Sequence, residues 1–246
     1  MAEKLESLIE KERRHEKSRM ELITGVSHDL RTPLTSILGY LELLRDRAYR
    51  DEAEYERFVG NTLNKAMQLK TLVDELFEYT RLSQSETKLE TETIDLREML
   101  VQMLAETEPL AKEARIELEA RMPAEGMAVD VDPEKLRRAV ENLLVNALKF
   151  SVKPGKVAVS LEQGVDSATV SVENRGEPIA DEQAERLFDR FYKVDESRSN
   201  PDKRGGAGLG LAIARSVAEL HGGRAYLAYS DGLFRFSIEL PREASR

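Results

Sequence analysis

The chain has 246 residues, enough for one or two domains with a sizeable core. Charged side chains make up 34% and aromatics 6%, a bias toward long solvated helices, and the net charge of −9 argues against sequence-independent grip on nucleic acid or an anionic membrane surface; a nucleotide, which needs only a local cluster of donors, stays allowed. No cysteine means no disulfide, zinc–thiolate site or thiol catalysis. No apolar run reaches the about 18 residues needed to span a bilayer, and "MAEKLESLIEKERRHEK" is not a signal peptide.

In chain order, residues 1–20 read as a helix that enters a bundle, and 21–83 as a helical hairpin. Apolar positions Ile23, Val26, Leu30, Leu34, Ile37, Leu41 and Leu44 form one stripe, with two consecutive steps of four around Leu30, beside Pro33. Proline in a helix interior costs about 3 kcal/mol and opens the carbonyl four residues back, here that of Asp29, so Pro33 marks a hinge. The polar stretch "RDRAYRDEAE" turns the chain. Tyr55, Val59, Thr62, Ala66, Leu69, Val73, Leu76 and Thr80 then alternate steps of four and three, the pattern of a packed helical seam. Each arm is about 45 Å long at about 1.5 Å per residue. Two helices have a seam but little core, so the expectation is a homodimer through the hairpin, making a four-helix bundle.

"SQSETKLETET" has no apolar period, and residues 84–93 read as a linker to a second domain over 94–242. "DLREMLVQMLAETEPLAKEA" and "DPEKLRRAVENLLVNALKF" are amphipathic helices, the second with Asp132 as N-cap and Pro133 at its first position. "RIELEA", "KVAVSLEQ", "SATVSVEN", "GRAYLAYS" and "LFRFSIEL" alternate with period two, and "YSDGLF" supplies an Asp-Gly hairpin turn. Helices mixed with antiparallel strands predict an α/β sandwich, one sheet under a helical layer.

Chemistry concentrates in a few places. His28 lies about 200° from both Val26 and Leu30 at about 100° per residue, so it points away from the stripe. An exposed imidazole is largely neutral at pH 7 and then has the lone pair a nucleophile needs. Asp29 is placed to hydrogen-bond the opposite ring nitrogen, and Thr32, one turn on, to orient a water. Asn142, Asn146 and Lys149 lie at i, i+4 and i+7 on one helix face, opposite Leu143, Leu144, Ala147 and Leu148. Gly205, Gly206, Gly208 and Gly210 run straight into "LAIARSVAELHG". Glycines let backbone approach phosphate oxygens, and a helix start adds free N–H groups. No Lys-Ser or Lys-Thr follows, which rules out a P-loop, and Leu211 stands where a dinucleotide fingerprint needs glycine.

"SHDLRTPL" (27–34) resembles the phosphoacceptor box of the sensor histidine kinases of bacterial two-component systems. "NLLVNALKFS" resembles the family's asparagine box, "FDRFYK" its phenylalanine box and "GGAGLGLAIA" its second glycine box, all in the family's order between about residues 20 and 240. The resemblance implies a dimeric four-helix bundle followed by a sandwich of the histidine-kinase, gyrase and chaperone ATPase type. It implies ATP-dependent autophosphorylation of His28, with Asp29 and Thr32 assisting, then transfer to an aspartate of a response regulator, with phosphatase activity supported by Thr32. ATP contacts fall on Asn142, Asn146, Lys149 and Phe150, on Asn174, Gly176 and Ile179, on Lys193, with Arg198 and Arg204 as weaker candidates, and on Gly206, Gly208, Leu209 and Gly210; Mg2+ falls on Asn146. "KVDESRSNPDKR" would be a lid over the nucleotide.

Where the family has Asp-x-Gly in its first glycine box, this chain has Asn174, Arg175 and Gly176, so the acceptor for the adenine amino group lacks full charge. Related ATPases place a water-activating glutamate one turn before the magnesium asparagine. Here that position is Asn142, and Glu141 is rotated about 100° off the face. The resemblance further implies a cytoplasmic location, with membrane contact only through segments not in this sequence. Two other readings stay open: a nucleotide-gated coiled-coil scaffold without kinase turnover, and a free ATPase.

Overall fold

A computed structural model describes residues 25–27, 29–82, 88–194 and 208–242. The chain divides into two compact units, the first running to Phe77 and the second starting at Glu78.

In the first unit, helix α1 is described over residues 29–45 and continues through Pro33, which is buried. It ends at Arg47, whose φ of 53° lies in the left-handed region. The N–H of Ala48 donates to the Leu43 carbonyl and that of Arg47 to the Leu44 carbonyl, which satisfies two carbonyls of the last turn. Helix α2, Glu52–Leu82, starts where the Asp51 carboxylate accepts the Glu54 N–H at 2.8 Å. The stop of α1 and the start of α2 both lie in the polar turn. Tyr40 of α1 meets Phe58 of α2 with ring centroids 5.6 Å apart.

The spacing of four and three holds in α2, with a shifted phase. The inward face runs through Phe58, Thr62, Leu69, Leu72 and Leu76, while Tyr55 and Val59 are 41% and 40% exposed. The expected seam merged two adjacent stripes. One packs within the chain; the other, Tyr55, Val59, Leu63 and Met67 on α2 with Leu34, Leu38 and Leu41 on α1, faces outward.

In the second unit, β1 (Glu92–Asp95) leads into α3 (Leu96–Glu113), β2 (Ile116–Arg121), β3 (Ala128–Val131), α4 (Pro133–Phe150), β4 (Gly155–Gln163), β5 (Ser167–Arg175), a short α5 (Asp181–Glu185), α6 (Gly210–Leu220), β6 (Arg224–Ser230) and β7 (Leu233–Pro241). Five strands form one sheet in the order β2-β4-β5-β7-β6. All five expected strands are present, and the pairs are antiparallel except for β2 and β4, which run parallel because α4 lies between them in sequence. The hairpin β6–β7 turns at Asp231 and Gly232, with φ of 45° and 79°, the two left-handed residues a two-residue Asp-Gly turn requires.

A separate two-stranded sheet, β1 with β3, was not among the expected elements. Four residues each of "ETID" and "AVDV" are too short to show a period. One face of the main sheet is covered by the helices. Val157, Val159, Val170, Val172, Ile238 and Leu240 point into it, against Leu136, Ala139, Val140, Leu143 and Ala147 of α4 and Ile213, Ala214 and Val217 of α6, all fully buried.

Asp132 ties several chain segments together. Its buried carboxylate accepts the Lys135 N–H at 3.1 Å and the Glu90 N–H at 3.1 Å, and pairs with the Lys135 ammonium. Burial alone would raise its pKa, but those bonds and the Lys135 charge hold it below the ordinary carboxylate value. The Asp132 N–H donates to His221 Nε2 at 2.9 Å, and the other ring nitrogen, Nδ1, donates to the Val217 carbonyl at 2.8 Å. His221 is therefore neutral with its proton on Nδ1. Burial pushes its pKa below the ordinary histidine value, although the Val217 carbonyl and Asp132 act the other way.

The consequence for stability has a definite sign. Protonation would cost His221 its acceptor nitrogen, so His221 supports the fold fully above about pH 6.5 and loses that support as pH falls through its lowered native pKa. Denaturant melts between pH 7.5 and 5 should show stability falling with acidity. His221→Gln, which keeps an acceptor that does not titrate, should flatten that slope.

Candidate functional site

Helix α4 positions the site. Its apolar residues sink into the sheet, which turns Asn142, Asn146 and Lys149 onto one rim, each half-buried. Lys149 lies with its ammonium 4.9 Å from the Phe150 ring centroid. Glu141 is exposed and takes an ion pair from Arg138 at 3.0 Å, off the rim that carries Asn142.

Both glycine segments touch this helix. A Cβ at Gly210, the first residue of α6, would lie 3.4 Å from Asn142 Oδ1, so the start of α6 sits directly on the Asn142 amide. At the other end, Gly176 bridges Ser151 just after α4, and a Cβ there would come within 3.1 Å of the Phe150 carbonyl and 3.0 Å of the Phe234 ring. Asn174, two residues earlier on β5, is 3% exposed and faces the helical layer. Ile179 follows in the loop, its N–H and carbonyl both bonded to the Tyr229 hydroxyl at 2.8 Å.

The turn after α5 completes the surroundings. Phe188 is buried with its ring at 6.0 Å from Phe236, and the Arg215 guanidinium lies 4.6 Å from the Phe188 centroid. Phe191 has a φ of 59°, and its N–H donates to the Gly208 carbonyl at 3.0 Å. Gly208 itself has a φ of 72°, and a Cβ there would stand 3.0 Å from the Tyr192 carbonyl. Leu209, the N-cap of α6, is fully buried. Lys193 is half-buried beside this turn. On α1, Asp29 is half-buried and Thr32 exposed, its carbonyl accepting the Ser36 hydroxyl at 3.2 Å. His28, Gly206, Arg198, Arg204 and the stretch expected as a lid, from residue 195 on, lie outside the described residues.

Two atoms in this region have no partner among the described residues. Asn142 Nδ2 and Asn174 Oδ1 are both fully buried and unbonded. A buried polar group left unbonded costs about 1–3 kcal/mol, and such groups persist where a ligand completes them. One offers a donor beside the start of α6 and the other an acceptor at the end of β5. That is a donor set fitted to a phosphate at one end and an amino-bearing base at the other. Among the described residues no cluster of three or more His, Asp or Glu side chains could hold a metal. A hard cation carried on phosphate oxygens and one amide oxygen, such as that of Asn146, needs none.

Sequence reasoning missed two residues that the geometry brings to this unit's working parts. Tyr229 sits on a regularly alternating strand, where nothing marks it apart from its neighbours. His221 could have been suspected from its place one residue beyond the last turn of α6.

A five-stranded sheet under a helical layer, with one buried orphan amide against a glycine-led helix and a second at the end of β5, defines an ATPase domain of the sandwich type. Residues 131–244 match the model for the "Histidine kinase-, DNA gyrase B-, and HSP90-like ATPase" family, and residues 18–85 match that for the "His Kinase A (phospho-acceptor) domain". With both domains present in that order, the chain belongs to the sensor histidine kinases of two-component systems. It is similar to the sensor protein VanSC of Enterococcus gallinarum, 36% identical over 230 residues that cover 94% of this chain and 63% of the relative. To the sensor histidine kinase WalK of Bacillus subtilis (strain 168) it is 32% identical, over 85% of this chain and 34% of the relative. The chain thus spans between about a third and two-thirds of the length of these relatives. Its fold is similar to that of histidine kinase ThkA in complex with the response regulator TrrA, with a TM-score of 0.77 and 24% identity over 98% of this chain and 67% of ThkA. No helix among the described residues is long and apolar enough to cross a membrane.

The left-handed backbone at Gly208 and its contact with the Tyr192 carbonyl generate a mutational test. Gly208→Ala should destabilise the second unit by about 1–2 kcal/mol, read as a lowered denaturant midpoint. Gly39→Ala, at a helical glycine where a Cβ meets nothing within 4 Å, should be neutral or stabilising.

Proposed function

We propose that this chain is an ATP-dependent autokinase that phosphorylates His28 and passes the phosphoryl group to an aspartate of a response regulator. The observation that carries the nucleotide half is the pair of buried, unbonded amide atoms on Asn142 and Asn174. In this reading Asn174 Oδ1 accepts from the adenine amino group, Gly176 and Ile179 let the base lie against backbone, and Asn142, Lys149, Phe150 and Lys193 surround the phosphates. Gly206, Gly208, Leu209 and Gly210 bring α6 up to them, where N–H groups and the helix dipole offset negative charge. Mg2+, held by Asn146 and phosphate oxygens, would neutralise charge that develops on the β- and γ-phosphates.

In the transfer, a lone pair of the His28 imidazole forms a bond to the γ-phosphorus. The bond from that phosphorus to the β,γ-bridging oxygen breaks, and ADP leaves with its electron pair. Asp29 accepts from the opposite ring nitrogen, stabilises the positive charge as the bond forms, and keeps the imidazole oriented. The ring proton then passes to solvent. Thr32, one turn along the exposed face of α1, orients a water for the phosphatase reaction. Asn142 cannot take a proton from water, and Glu141 is paired with Arg138 away from the rim, so the site favours a side-chain acceptor over free hydrolysis.

The second, outward stripe of the hairpin supports a homodimer through residues 21–83: Leu34, Leu38, Leu41, Leu63 and Met67 are about half exposed or more, a larger apolar surface than two helices can leave in water. The response regulator as partner is supported by the family and by ThkA, solved with TrrA.

Incubation with γ-labelled ATP and magnesium tests the whole reading. Label should be retained on the protein, stable to base and labile to acid, and lost in His28→Gln. Release of free phosphate without retained label would identify an ATPase instead, and binding without either a nucleotide-gated scaffold. In the same assay Thr32→Ala should keep autophosphorylation and slow dephosphorylation by about tenfold or more. Loss of autophosphorylation with dephosphorylation spared would refute the role given to Thr32.

A further inference from the structure

We propose that Tyr229 is a positioning residue for the base end of the nucleotide site; this deepens the proposed function and rests on Asn174, Gly176 and Ile179 facing adenine. Tyr229 is the sixth residue of β6, on the face that looks toward the helices. Its hydroxyl donates to the Ile179 carbonyl and accepts from the Ile179 N–H, each at 2.8 Å. One side-chain atom thus holds both backbone groups of a single loop residue, which fixes the plane of the main chain there as a strand partner would. Pro178, immediately before, has no N–H to offer, and the nearby anchors lie at Gly176, whose N–H donates to the Gly232 carbonyl at 2.8 Å, and at Ala180, bonded to Gln183. Ile179 is the point between them.

The tyrosine is itself well held. It pairs in register with Phe234, and the two rings lie 4.8 Å apart. Phe234 in turn presses on Gly176 and stacks with Phe236 at 6.2 Å, which meets Phe188 at 6.0 Å. A continuous row of rings therefore runs beneath the site, from the loop that would face the base to the turn that would face the phosphates. A hydroxyl at the end of such a row has little freedom, and the loop it holds is set before a ligand arrives. That preorganisation lowers the ordering cost of binding and sharpens discrimination between bases, since the fit depends on where Ile179 and its neighbours stand.

Tyr229→Phe removes the hydroxyl and keeps the ring on Phe234, so the test is made in the full chain by titration with ADP and with GDP, beside Asn174→Ala. Two lost backbone bonds that water can partly replace should weaken ADP binding about fivefold. The preference for ADP over GDP should narrow, and the Ile179 amide of the nucleotide-free protein should exchange its hydrogen faster. A loss of general stability alone would leave the preference as it was, and that outcome would mark Tyr229 as structural and overturn the proposal. Wild-type ADP affinity in Tyr229→Phe, with Asn174→Ala impaired, would overturn it while leaving the base site in place. ADP binding indifferent to both substitutions would remove the base site and this proposal together.

Discussion

One helix with two unlike faces governs the second unit. Leu136, Ala139, Val140, Leu143 and Ala147 are completely removed from water, and together they fix the rotation of α4 about its axis to within a few tens of degrees. Once that rotation is fixed, Asn142, Asn146 and Lys149 have nowhere to go but the rim, because residues three and four apart share a face. Two other site segments are then placed by contact with α4: α6 starts against the Asn142 amide, and the segment after β5 closes on the Phe150 carbonyl and Ser151. A change that rotated α4 would move both. Apolar packing, not any polar contact in the site, therefore does most of the positioning.

The ends of that helix show how the packing is held in register. The N-terminus of α4 is capped by Asp132, whose own N–H donates to His221, the C-cap residue of α6. The N-terminus of α6 rests on the middle of α4. Two helices that share contacts at both ends of the shorter one cannot slide independently. This geometry suits a task in which charge neutralisation and distance decide the rate, since positioning errors of about an ångström are costly in phosphoryl transfer.

The parts of this arrangement that were legible in the sequence are those with a period or a turn signature. The α4 stripe, its Asp132 cap, the five alternating strands and the Asp-Gly hairpin can all be read from local pattern, and the candidate residues of the site come from the order of the boxes by resemblance. What was not legible lies where two elements meet. The seam of α2 was displaced because Tyr55 and Val59 are as apolar as Phe58 and Leu72, and only the partner helix decides which stripe faces inward. The parallel pairing of β2 with β4, and the small sheet of β1 with β3, depend on tertiary contacts that four to six residues cannot announce. Tyr229 is the sharpest case: its role comes from Ile179, 50 residues away in sequence, and no pattern on β6 contains it.

The orphan amides give this unit a property that packing alone would not. Asn142 Nδ2 and Asn174 Oδ1 are buried without partners among the described residues, at a cost of about 1–3 kcal/mol each, comparable with the effect of a typical destabilising mutation. A hydrophobic pair of the same shape would remove that cost, so this fold is less stable than it could be. Part of the affinity for whatever completes those atoms is thus a debt held in the protein, and a ligand that supplies a donor to one and an acceptor to the other stabilises the domain as it binds. Under the proposed function, this places the discrimination in a few desolvated atoms and leaves the surrounding core free of any demand other than to hold them still.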